Sequence, residues 1–546
     1  MKIRLSKGLL ALLASLAVST AEAGYYQIGG IIGVDKDGNA ETKTITVNDI
    51  PVTSDRYAPT AKDGSGTLTI ETGGTIANAL FVREGSLVLK DKAVSLTGTR
   101  EGLANNDGFV PLSVGGKNSK LEVDNAELSI GTWGAALVVG GIDGSGSLVL
   151  KNKARLENKN GFSTFIGQSS YRINLKPTTT FGFQNMHAST ATKSGDVTDR
   201  YDRYIGEYHL SNPSDTWSNE FGTGYVEVTG KSYFDTGAMG ALYMADGKLI
   251  VDDHSTVKAG TDSQYANSHT SEIGEIQGCK SEIEVKGNSE LHFRSAVNFG
   301  WAPKTNSSML IDKSTLQVDG HLSVANSILS SATGIKASIV LQDHATAKFN
   351  TVKIGHENIW DEKSAFLKVD STSAVEALRD DSLIELIGYG AYVENEGSIG
   401  VDMLLNGGQL TAMDGSSMAD VTVNGATFMV YGNVEMTGAL TLNTYAYMEF
   451  NNYGIINLNG NNLTIADDVS VRVYLSEGQS ADNLAIFANV GEVFEGDYSI
   501  DVYDSQGKWI KDVAVSDVIT VLVPEPATST LSLLALAGLA ARRRRK

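Results

Sequence analysis

A repeat of about 26 residues, marked by an apolar residue followed by glycine, constrains the fold of this chain most strongly. The marker occurs at Val114-Gly115, Val139-Gly140, Ile166-Gly167, Ile273-Gly274, Phe299-Gly300 and Ile354-Gly355. The marker glycines recur at an even spacing, as at positions 115, 140 and 167 and again at 274 and 300, and Ala245 and Ala325 take the glycine position in two repeats. An alternating segment follows each marker, as in Leu148-Val149-Leu150, and a further short apolar segment comes soon after it. Alternation with a period of two predicts half-buried strands, so each repeat predicts three strands and one coil of a solenoid.

Such coils are expected to stack, because one coil cannot bury its own inward-facing side chains. The alternation assigns Leu148, Leu150 and Val285 to the interior and Glu284 to the outside. An array of β-sandwich domains is the competing fold, but its strands would not keep a fixed period. The predicted fold class is therefore all-β, a β-helix whose backbone hydrogen bonds run along its axis.

The repeat does not extend over the whole chain. It covers residues 61–375, and shorter segments such as Val421-Thr422-Val423 predict smaller coils over 376–475. Residues 476–522 lose the repeat and are predicted to form a non-repeating C-terminal cap, because an open solenoid end exposes unpaired strand groups. Residues 24–60 are predicted to cap the other end.

An interruption of the repeat at residues 168–222 predicts an inserted lobe. The interval from Gly167 to Ala245 is three periods long, yet within it only the segment from Tyr225 to Val228 restarts the pattern. The aromatic residues of the interruption are Tyr171, Phe181, Phe183, Tyr201, Tyr204, Tyr208, Trp217 and Phe221. Tyr201, Tyr204, Tyr208 and Trp217 are the candidate ligand-binding residues, because aromatic rings stack on sugars and the three tyrosines recur at helical spacing. The alternative is a small lobe whose aromatic side chains pack against one another.

The composition excludes several classes of protein. The 546-residue chain has a net charge of −20, whereas a nucleic-acid-binding protein needs a basic surface. Its single cysteine, Cys279, excludes a disulfide framework and a cysteine-based zinc site. With 58 glycines and only 8 prolines the chain is not collagen-like. We expect no nucleic-acid partner and no cofactor.

The search for catalytic and metal-binding motifs yields no residue that can be assigned. The adjacent acid pairs are Asp252-Asp253, Asp380-Asp381 and Asp467-Asp468. Neighbours on a strand point to opposite faces, so such a pair does not place two carboxylates around one bond. The segment 35–39 departs from the EF-hand pattern and predicts a plain turn. The chain is therefore predicted not to be an enzyme.

The N-terminal segment 1–23 has the three parts of a secretory signal peptide. A basic start precedes an apolar run from Leu9 to Val18, and Ala21 and Ala23 supply the small residues of a cleavage site. Cleavage after Ala23 would make Gly24 the first residue of the exported protein.

The C-terminus also has three parts. Pro524, Glu525 and Pro526 precede an apolar run from Leu531 to Ala541, and a basic cluster follows at 542–546. In a helix the apolar run would cover about 16 Å, about half of a bilayer core, so a stable span is marginal. We expect transient contact with the inner membrane, the basic cluster staying on the cytoplasmic side. An ordinary tail anchor is the alternative.

This ordered C-terminus closely resembles the PEP-CTERM sorting signal of Gram-negative bacteria, which would occupy residues 523–546. The resemblance implies that an exosortase in the membrane cuts near the Pro-Glu-Pro motif and passes the protein to the cell surface, outer membrane or extracellular matrix. The repeat over residues 65–375, as in 137–141 followed by 146–150, resembles one shared by autotransporter passengers and PEP-CTERM proteins. That second resemblance implies a right-handed parallel β-helix.

These observations predict an exported surface protein with a structural or adhesive role. Its expected partners are the exosortase-type sorting enzyme and a surface or host polysaccharide. A polysaccharide lyase or glycoside hydrolase on a β-helix scaffold is the alternative, because many β-helices have such activities.

Overall fold

The computed structural model describes residues 30–521 except 53–58, 98–108, 132–134, 141–143, 160, 168–222, 238–239, 261–269, 275–277, 327–332, 360, 483 and 496–499. The chain divides into two compact units, Met1–Tyr392 and Val393–Lys546. In the described residues the backbone forms strands throughout, with two short 3-10 turns at Val47–Asp49 and Val515–Asp517.

The strands of the first unit are short and follow one another closely. They are β1 (Gly30–Ile32), β2 (Lys43–Ile45), β3 (Thr60–Lys62), β4 (Thr67–Ile70), β5 (Gly74–Ile76), β6 (Leu80–Lys90), β7 (Ala93–Leu96), β8 (Phe109–Asp124), β9 (Glu127–Ile130), β10 (Ala135–Val139), β11 (Gly146–Lys151), β12 (Arg155–Asn158), β13 (Gly161–Ile166), β14 (Gly224–Val228), β15 (Tyr233–Asp235), β16 (Ala241–Met244), β17 (Gly247–Val251), β18 (Thr256–Ala259), β19 (Ser271–Ile273), β20 (Lys280–Val285), β21 (Glu290–Phe293), β22 (Val297–Phe299), β23 (Asn306–Asp312), β24 (Thr315–Val324), β25 (Lys336–Gln342), β26 (Thr346–Ile354), β27 (Ala365–Val369), β28 (Ala374–Ala377) and β29 (Leu383–Ile387).

These strands stack in parallel into three walls. Wall A contains β2, β4, β6, β8, β11, β14, β17, β20, β23, β25 and β27. Wall B contains β5, β7, β9, β12, β15, β18, β21, β24, β26 and β28. Wall C contains β1, β3, β6, β8, β10, β13, β16, β19, β22, β24, β26 and β29. The chain visits the walls in the order A, B, C, so the predicted parallel β-helix is confirmed; a right-handed coil is the sense expected for parallel connections.

Side chains alternate between the interior and the outside in walls A and B. Leu148, Leu150 and Val285 are fully buried, whereas Glu284 on the outside is 30% exposed and forms ion pairs. The predicted faces are therefore confirmed.

Wall C differs from the expected half-buried pattern. In β10 three consecutive residues, Leu137, Val138 and Val139, are all fully buried. Phe165 and Tyr243 occupy the outward row of the same wall, are buried, and stack with ring centroids 5.1 Å apart. Strands covered on both faces have continuous apolar runs instead of alternation.

The marker glycine has a conformational role in the repeats after Gly115, which itself lies within β8. Gly140, Gly167, Gly274, Gly300 and Gly355 all have φ between 66° and 82°, at the point where the chain leaves wall C. A residue with a side chain is strained in this left-handed region, and Ala325 is a non-glycine example with φ of 50°. The turn geometry thus explains why glycine marks the repeat.

A ladder of buried serines joins successive coils at the corner between walls A and B. The backbone N–H of Ser232 donates to Ser255 Oγ at 3.0 Å, that of Ser255 to Ser289 Oγ at 3.1 Å, and that of Ser289 to Ser314 Oγ at 3.0 Å. Each hydroxyl therefore satisfies a buried amide of the preceding coil.

The coils on the two sides of residues 168–222 are direct neighbours. Leu148 of β11 pairs with Val226 of β14, and the backbone N–H of Thr223 donates to Ser145 Oγ at 3.0 Å although the two residues are far apart in sequence. No other described strand lies between β11 and β14 in wall A.

The second unit has the same organisation with smaller coils. Its strands are β30 (Ala391–Asn395), which begins just before the boundary, β31 (Ser398–Gly400), β32 (Asp402–Asn406), β33 (Gln409–Ala412), β34 (Ser417–Met418), β35 (Val421–Val423), β36 (Thr427–Met436), β37 (Leu440–Leu442), β38 (Tyr447–Asn457), β39 (Leu463–Ile465), β40 (Ser470–Tyr474), β41 (Phe487–Val490), β42 (Val493–Glu495), β43 (Ile500–Tyr503), β44 (Trp509–Val513) and β45 (Ile519–Val521). Asn424 and Asn406 occupy equivalent positions in successive coils, and their side chains are hydrogen-bonded at 2.8 Å.

Three parallel walls also form the second unit. Wall D contains β30, β33, β36, β38, β40 and β43. Wall E contains β31, β34, β36, β38, β41 and β45, and wall F contains β32, β35, β37, β39 and β42.

Parallel stacking reaches into both segments that the sequence assigns to caps. At the N-terminal end β1 and β2 already pair with β3 and β4, and at the C-terminal end β41, β42 and β43 form a further coil. The non-repeating element is β44, which folds back antiparallel onto β43. It pairs with the edge of wall D that would otherwise offer free backbone groups.

Candidate functional site

The residues that the sequence selects for binding and processing lie outside the part of the chain that the structure describes. They are Ala21 and Ala23 of the cleavage site, Pro524, Glu525 and Pro526 of the sorting motif, and Tyr201, Tyr204, Tyr208 and Trp217 of the interruption. Their roles stay predictions.

The adjacent acid pairs lie in turns and not within strands. Asp252-Asp253 lies between β17 and β18, Asp380-Asp381 between β28 and β29, and Asp467-Asp468 between β39 and β40. Four rungs of wall B separate β18 from β28, which is about 19 Å at the spacing of paired strands. The first two pairs therefore do not converge on one groove.

The segment 35–39 forms a turn closed by its own first residue. Asp35 Oδ1 accepts hydrogen bonds from the backbone N–H groups of Asp37 at 2.8 Å and Asn39 at 2.9 Å. The hydrogen bond from the Asn39 side chain is the main cause that lowers the pKa of Asp35. Its carboxylate thus serves the local backbone, as in an Asx-turn.

An open groove of about 860 Å³ lies beside the first coils of the first unit. Its charged lining residues form two loose ion pairs, Arg83 with Asp63 at 3.7 Å and Lys117 with Glu84 at 3.9 Å. The two positive and two negative groups leave no excess of either charge, so the groove selects neither anions nor cations.

Lys62, in β3, is a fully buried lysine. Its Nζ donates hydrogen bonds to the carbonyl oxygens of Gly64 at 2.5 Å, Gly66 at 2.7 Å and Glu84 at 2.7 Å. Burial lowers the pKa of Lys62, against the opposing effect of the charges on Glu84 and Asp63. All three ammonium donors are used by the backbone, so this lysine holds the turn between walls C and A together.

A cluster on wall B is closed by its own contacts. Tyr233 Oη donates to Asp235 at 2.9 Å, Arg294 donates to the same carboxylate at 2.6 Å, and the Arg155 guanidinium lies 4.4 Å from the Tyr233 ring centre. Burial, with the charge of Asp235, raises the pKa of Tyr233 to about 12. The polar groups satisfy one another across several coils, which makes the cluster a structural one.

The outer surface of wall D, by contrast, combines aromatic and charged side chains that remain partly exposed. We call it the aromatic face and define it as Tyr447 and Glu449 of β38, Arg472 and Tyr474 of β40, Asp501 and Tyr503 of β43, and Trp509 and Asp512 of β44. Residues between these positions, such as Val471 and Val473, are buried inside the coil. The alternation of β38, β40 and β43 therefore places their six residues outside, and pairing with Asp501 and Tyr503 places Asp512 and Trp509 beside them.

Parallel register aligns the aromatic face into two rows. Glu449 pairs with Arg472, and Arg472 with Asp501, which makes one row of alternating charge. Tyr474 pairs with Tyr503, which in turn pairs with Trp509, and this makes the second row aromatic.

The aromatic row combines a stacked pair of tyrosines with an exposed tryptophan. The rings of Tyr474 and Tyr503 are stacked, with centroids 5.1 Å apart and planes at 21°. Trp509 is 53% exposed at the end of the row, and its Nε1 donates to Asp512 Oδ1 at 3.2 Å. Trp509 thus continues the row of partly exposed tyrosines, and a contiguous apolar surface is the kind of feature that can serve as a binding site.

Arg472 lies at the centre of the charged row. Its guanidinium lies 5.3 Å from the centre of the Tyr447 ring and 5.7 Å from that of Tyr503, within the range of a cation–π interaction. Tyr447 Oη donates to Glu449 Oε2 at 2.7 Å, and burial together with this bond raises the pKa of Tyr447, so the phenol stays neutral. The positive charge is thus held between tyrosine rings and carboxylates.

The sequence contains a weak signal for the aromatic face. The segments 447–450, 471–474 and 500–503 alternate, and each has outward-facing aromatic or charged residues. The sequence alone does not reveal this surface, because the residues become neighbours only when register places the segments side by side. The sequence repeat is also lost after residue 476.

Comparison with known proteins yields no match to a family model, to a curated protein or to a solved structure. Across the described ranges no helix is long and apolar enough to span a membrane. The same ranges contain no cluster of three or more histidine, cysteine or acidic side chains arranged to hold a metal ion.

Proposed function

We propose that this protein is exported to the cell surface, where it has an adhesive role and binds glycans or matrix polymers through the outside of a β-helix. The observation that carries the proposal is the aromatic face, in which stacked tyrosines and an exposed tryptophan are bordered by carboxylates. Sugar rings have apolar C–H faces and hydroxyl edges, so they fit the exposed ring of Trp509 and the polar groups beside it.

Export and sorting are part of the same proposal. Its support is the signal-peptide pattern of residues 1–23, with a predicted cleavage after Ala23, and the resemblance of residues 523–546 to a PEP-CTERM signal, which implies an exosortase as the processing partner. Intact-mass measurement of protein extracted from the cell surface is the test. We expect both ends to be missing, and recovery of Arg542 to Lys546 on surface protein would contradict the sorting step.

A glycan-cleaving enzyme is the second candidate, because Asp501 and Asp512 form a carboxyl pair within the aromatic face. Glycosidases hold their two carboxyl groups about 5 Å apart or more, with the scissile bond between them. Here the two residues lie directly opposite each other on paired strands, and Asp512 raises the pKa of Asp501, so the two carboxyl groups interact with each other instead of standing on either side of a bound glycan. The geometry favours binding over cleavage.

A screen of the purified full chain against polysaccharides, with binding and release of reducing ends measured together, separates the two candidates. We expect binding without cleavage, and binding about tenfold weaker after Trp509→Ala and after Tyr503→Ala. Tyr389→Ala is the matched control, because Tyr389 is 62% exposed and is not part of the aromatic face.

The other outcomes are equally informative. Release of reducing ends would support the enzyme, and absence of binding to every polysaccharide would contradict adhesion through glycans. A Tyr204→Ala/Trp217→Ala double variant tests the binding residues that the sequence selects. If that variant loses binding while Trp509→Ala retains it, recognition lies in 168–222 and not on the aromatic face.

A further inference from the structure

We propose that the aromatic face binds an uncharged polysaccharide, whose sugar rings stack on Trp509 and pack against the edges of Tyr474 and Tyr503 while their hydroxyl groups donate to Glu449, Asp501 and Asp512. This inference rests on the proposed adhesive function and names the ligand class of its site. Its support comes from the charges, the available hydrogen-bonding groups and the size of the surface.

The charges of the face disfavour anionic ligands. Three carboxyl groups, those of Glu449, Asp501 and Asp512, border the rings, against the single guanidinium of Arg472. Register places Arg472 between Glu449 and Asp501, so its positive charge is already balanced by neighbours. The chain as a whole carries −20, which adds a general repulsion of polyanions such as uronic acid polymers.

The hydrogen-bonding groups match the hydroxyl groups of a neutral sugar. Ionised carboxylates only accept hydrogen bonds, and a sugar hydroxyl can donate to them. The guanidinium of Arg472 carries several N–H groups and is the complementary donor within the aromatic face, between Glu449 and Asp501. A neutral glycan can therefore satisfy both kinds of group without bringing in an unpaired charge.

The size of the surface limits how many sugar rings one molecule can hold. The strands β38, β40 and β43 are successive rungs, so the face extends over about 10 Å between the first and the third rung. Such a surface holds a few rings of a chain, and we expect weak binding of short oligosaccharides. Many copies on a cell surface would then bind a long polymer through avidity.

The experiment compares neutral and charged polymers on the full chain. Galactomannan, mixed-linkage β-glucan and dextran are the neutral probes, polygalacturonate and alginate the anionic ones, and chitosan the cationic one. We expect at least one neutral polymer to bind. Its binding should change little between about 0.05 M and about 0.5 M salt, because salt screens charges and no net charge is neutralised here.

The variants locate the binding and its charge selectivity. We expect Trp509→Ala and Tyr503→Ala to weaken neutral-polymer binding about tenfold, with Tyr389→Ala unchanged. Trp509→Ala is less disruptive to folding than Tyr503→Ala, because the Trp509 ring is half exposed. An unchanged circular dichroism spectrum and melting temperature would show that the variant folds. An Asp501→Asn/Asp512→Asn variant should gain binding to polygalacturonate, because it removes two of the three negative charges that border the rings.

The results distinguish this inference from the proposed function. Salt-sensitive binding of an anionic polymer that is lost in Arg472→Gln, or binding of chitosan alone, would overturn the ligand class and leave adhesion in place. Neutral-polymer binding that is unaffected by both aromatic variants would overturn the assignment to this face. If none of the six polymers binds, the adhesive function itself is contradicted.

Discussion

Asp501 of β43 lies directly opposite Asp512 of β44 in the last strand pair of wall D. Two carboxylates opposite each other on antiparallel strands repel when both are ionised. Burial is the largest cause that raises the pKa of Asp501, followed by the interaction with Asp512, while Arg472 and Tyr503 lower it. The pairing of β44 with β43 is therefore linked to protonation.

The first prediction concerns pH. Because the pKa of Asp501 is raised in the folded protein, the folded state binds a proton more tightly than the unfolded state. This stabilisation is fully present at a pH below the pKa of an aspartate in the unfolded chain, which is about 4. It is lost as the pH rises from there through the raised pKa of Asp501 in the folded protein. We expect hydrogen exchange of the β44 amides to be slower at mildly acid pH than at neutral pH, after correction for the intrinsic rate.

A matched variant checks the cause of this pH dependence. Asp512→Asn removes one of the two charges and keeps the size of the side chain. It should slow exchange in β44 at neutral pH, by an amount equivalent to at most about 1 kcal/mol because the pair is mostly exposed to solvent. A pH dependence of the same size in Asp512→Asn would show that another group is responsible.

The second prediction compares the inside and the outside of one wall. Leu150 is fully buried in β11, so Leu150→Asp places an unpaired charge in the core and should destabilise the neighbouring coils by more than about 4 kcal/mol. Glu284→Lys removes partly exposed ion pairs with Lys248 and Lys286 and should cost about 1 kcal/mol or less. Denaturant unfolding followed by circular dichroism measures the free energy of unfolding of both variants. An equal decrease in the two would contradict the assignment of Leu150 to the inside and Glu284 to the outside.

The third prediction concerns the marker glycine. At Gly167 a Cβ would overlap the carbonyl oxygen of Asp246 in the next coil, and φ is 66°, so Gly167→Ala should destabilise by about 3 kcal/mol or more. Gly425 has φ of 59° with open space around it, so Gly425→Ala adds only backbone strain, about 1 kcal/mol. Thermal unfolding of the two variants separates the cost of the steric overlap from the cost of backbone strain. A similar decrease in stability for both variants would mean that the coils can move apart at Gly167.

The fourth prediction concerns the serine ladder. Ser255 is 1% exposed, and its hydroxyl accepts the backbone N–H of Ser232. Ser255→Ala leaves that buried amide without its acceptor and should cost about 1–3 kcal/mol. Ser338→Ala, on the half-buried outer side of β25, is the control and should stay within about 0.5 kcal/mol. An unchanged unfolding midpoint in Ser255→Ala would show that the hydroxyl is dispensable.

Much of the fold could be predicted because its signals are local. The alternation in 148–150 indicates which side chains face inward, and the glycine at 140 or 167 indicates a left-handed turn. Each of these signals lies within a short stretch of sequence. Wall C was predicted less well: Val138 is buried although it points outward, because burial on the outer face depends on what packs there and not on the strand itself. The antiparallel strand β44 was also not foreseen, since it pairs only with β43 at the end of the stack.

The sequence by itself determined the coil, since each repeat carries its own strands, turn glycine and inward apolar residues, and these act within a single repeat. Only the tertiary structure decided the aromatic face. Glu449, Arg472 and Asp501 belong to three different coils, and their contact depends on backbone pairing between strands that are distant in sequence. The side-chain pattern of each strand specifies which residues face outward, whereas the register between strands specifies which of them become neighbours.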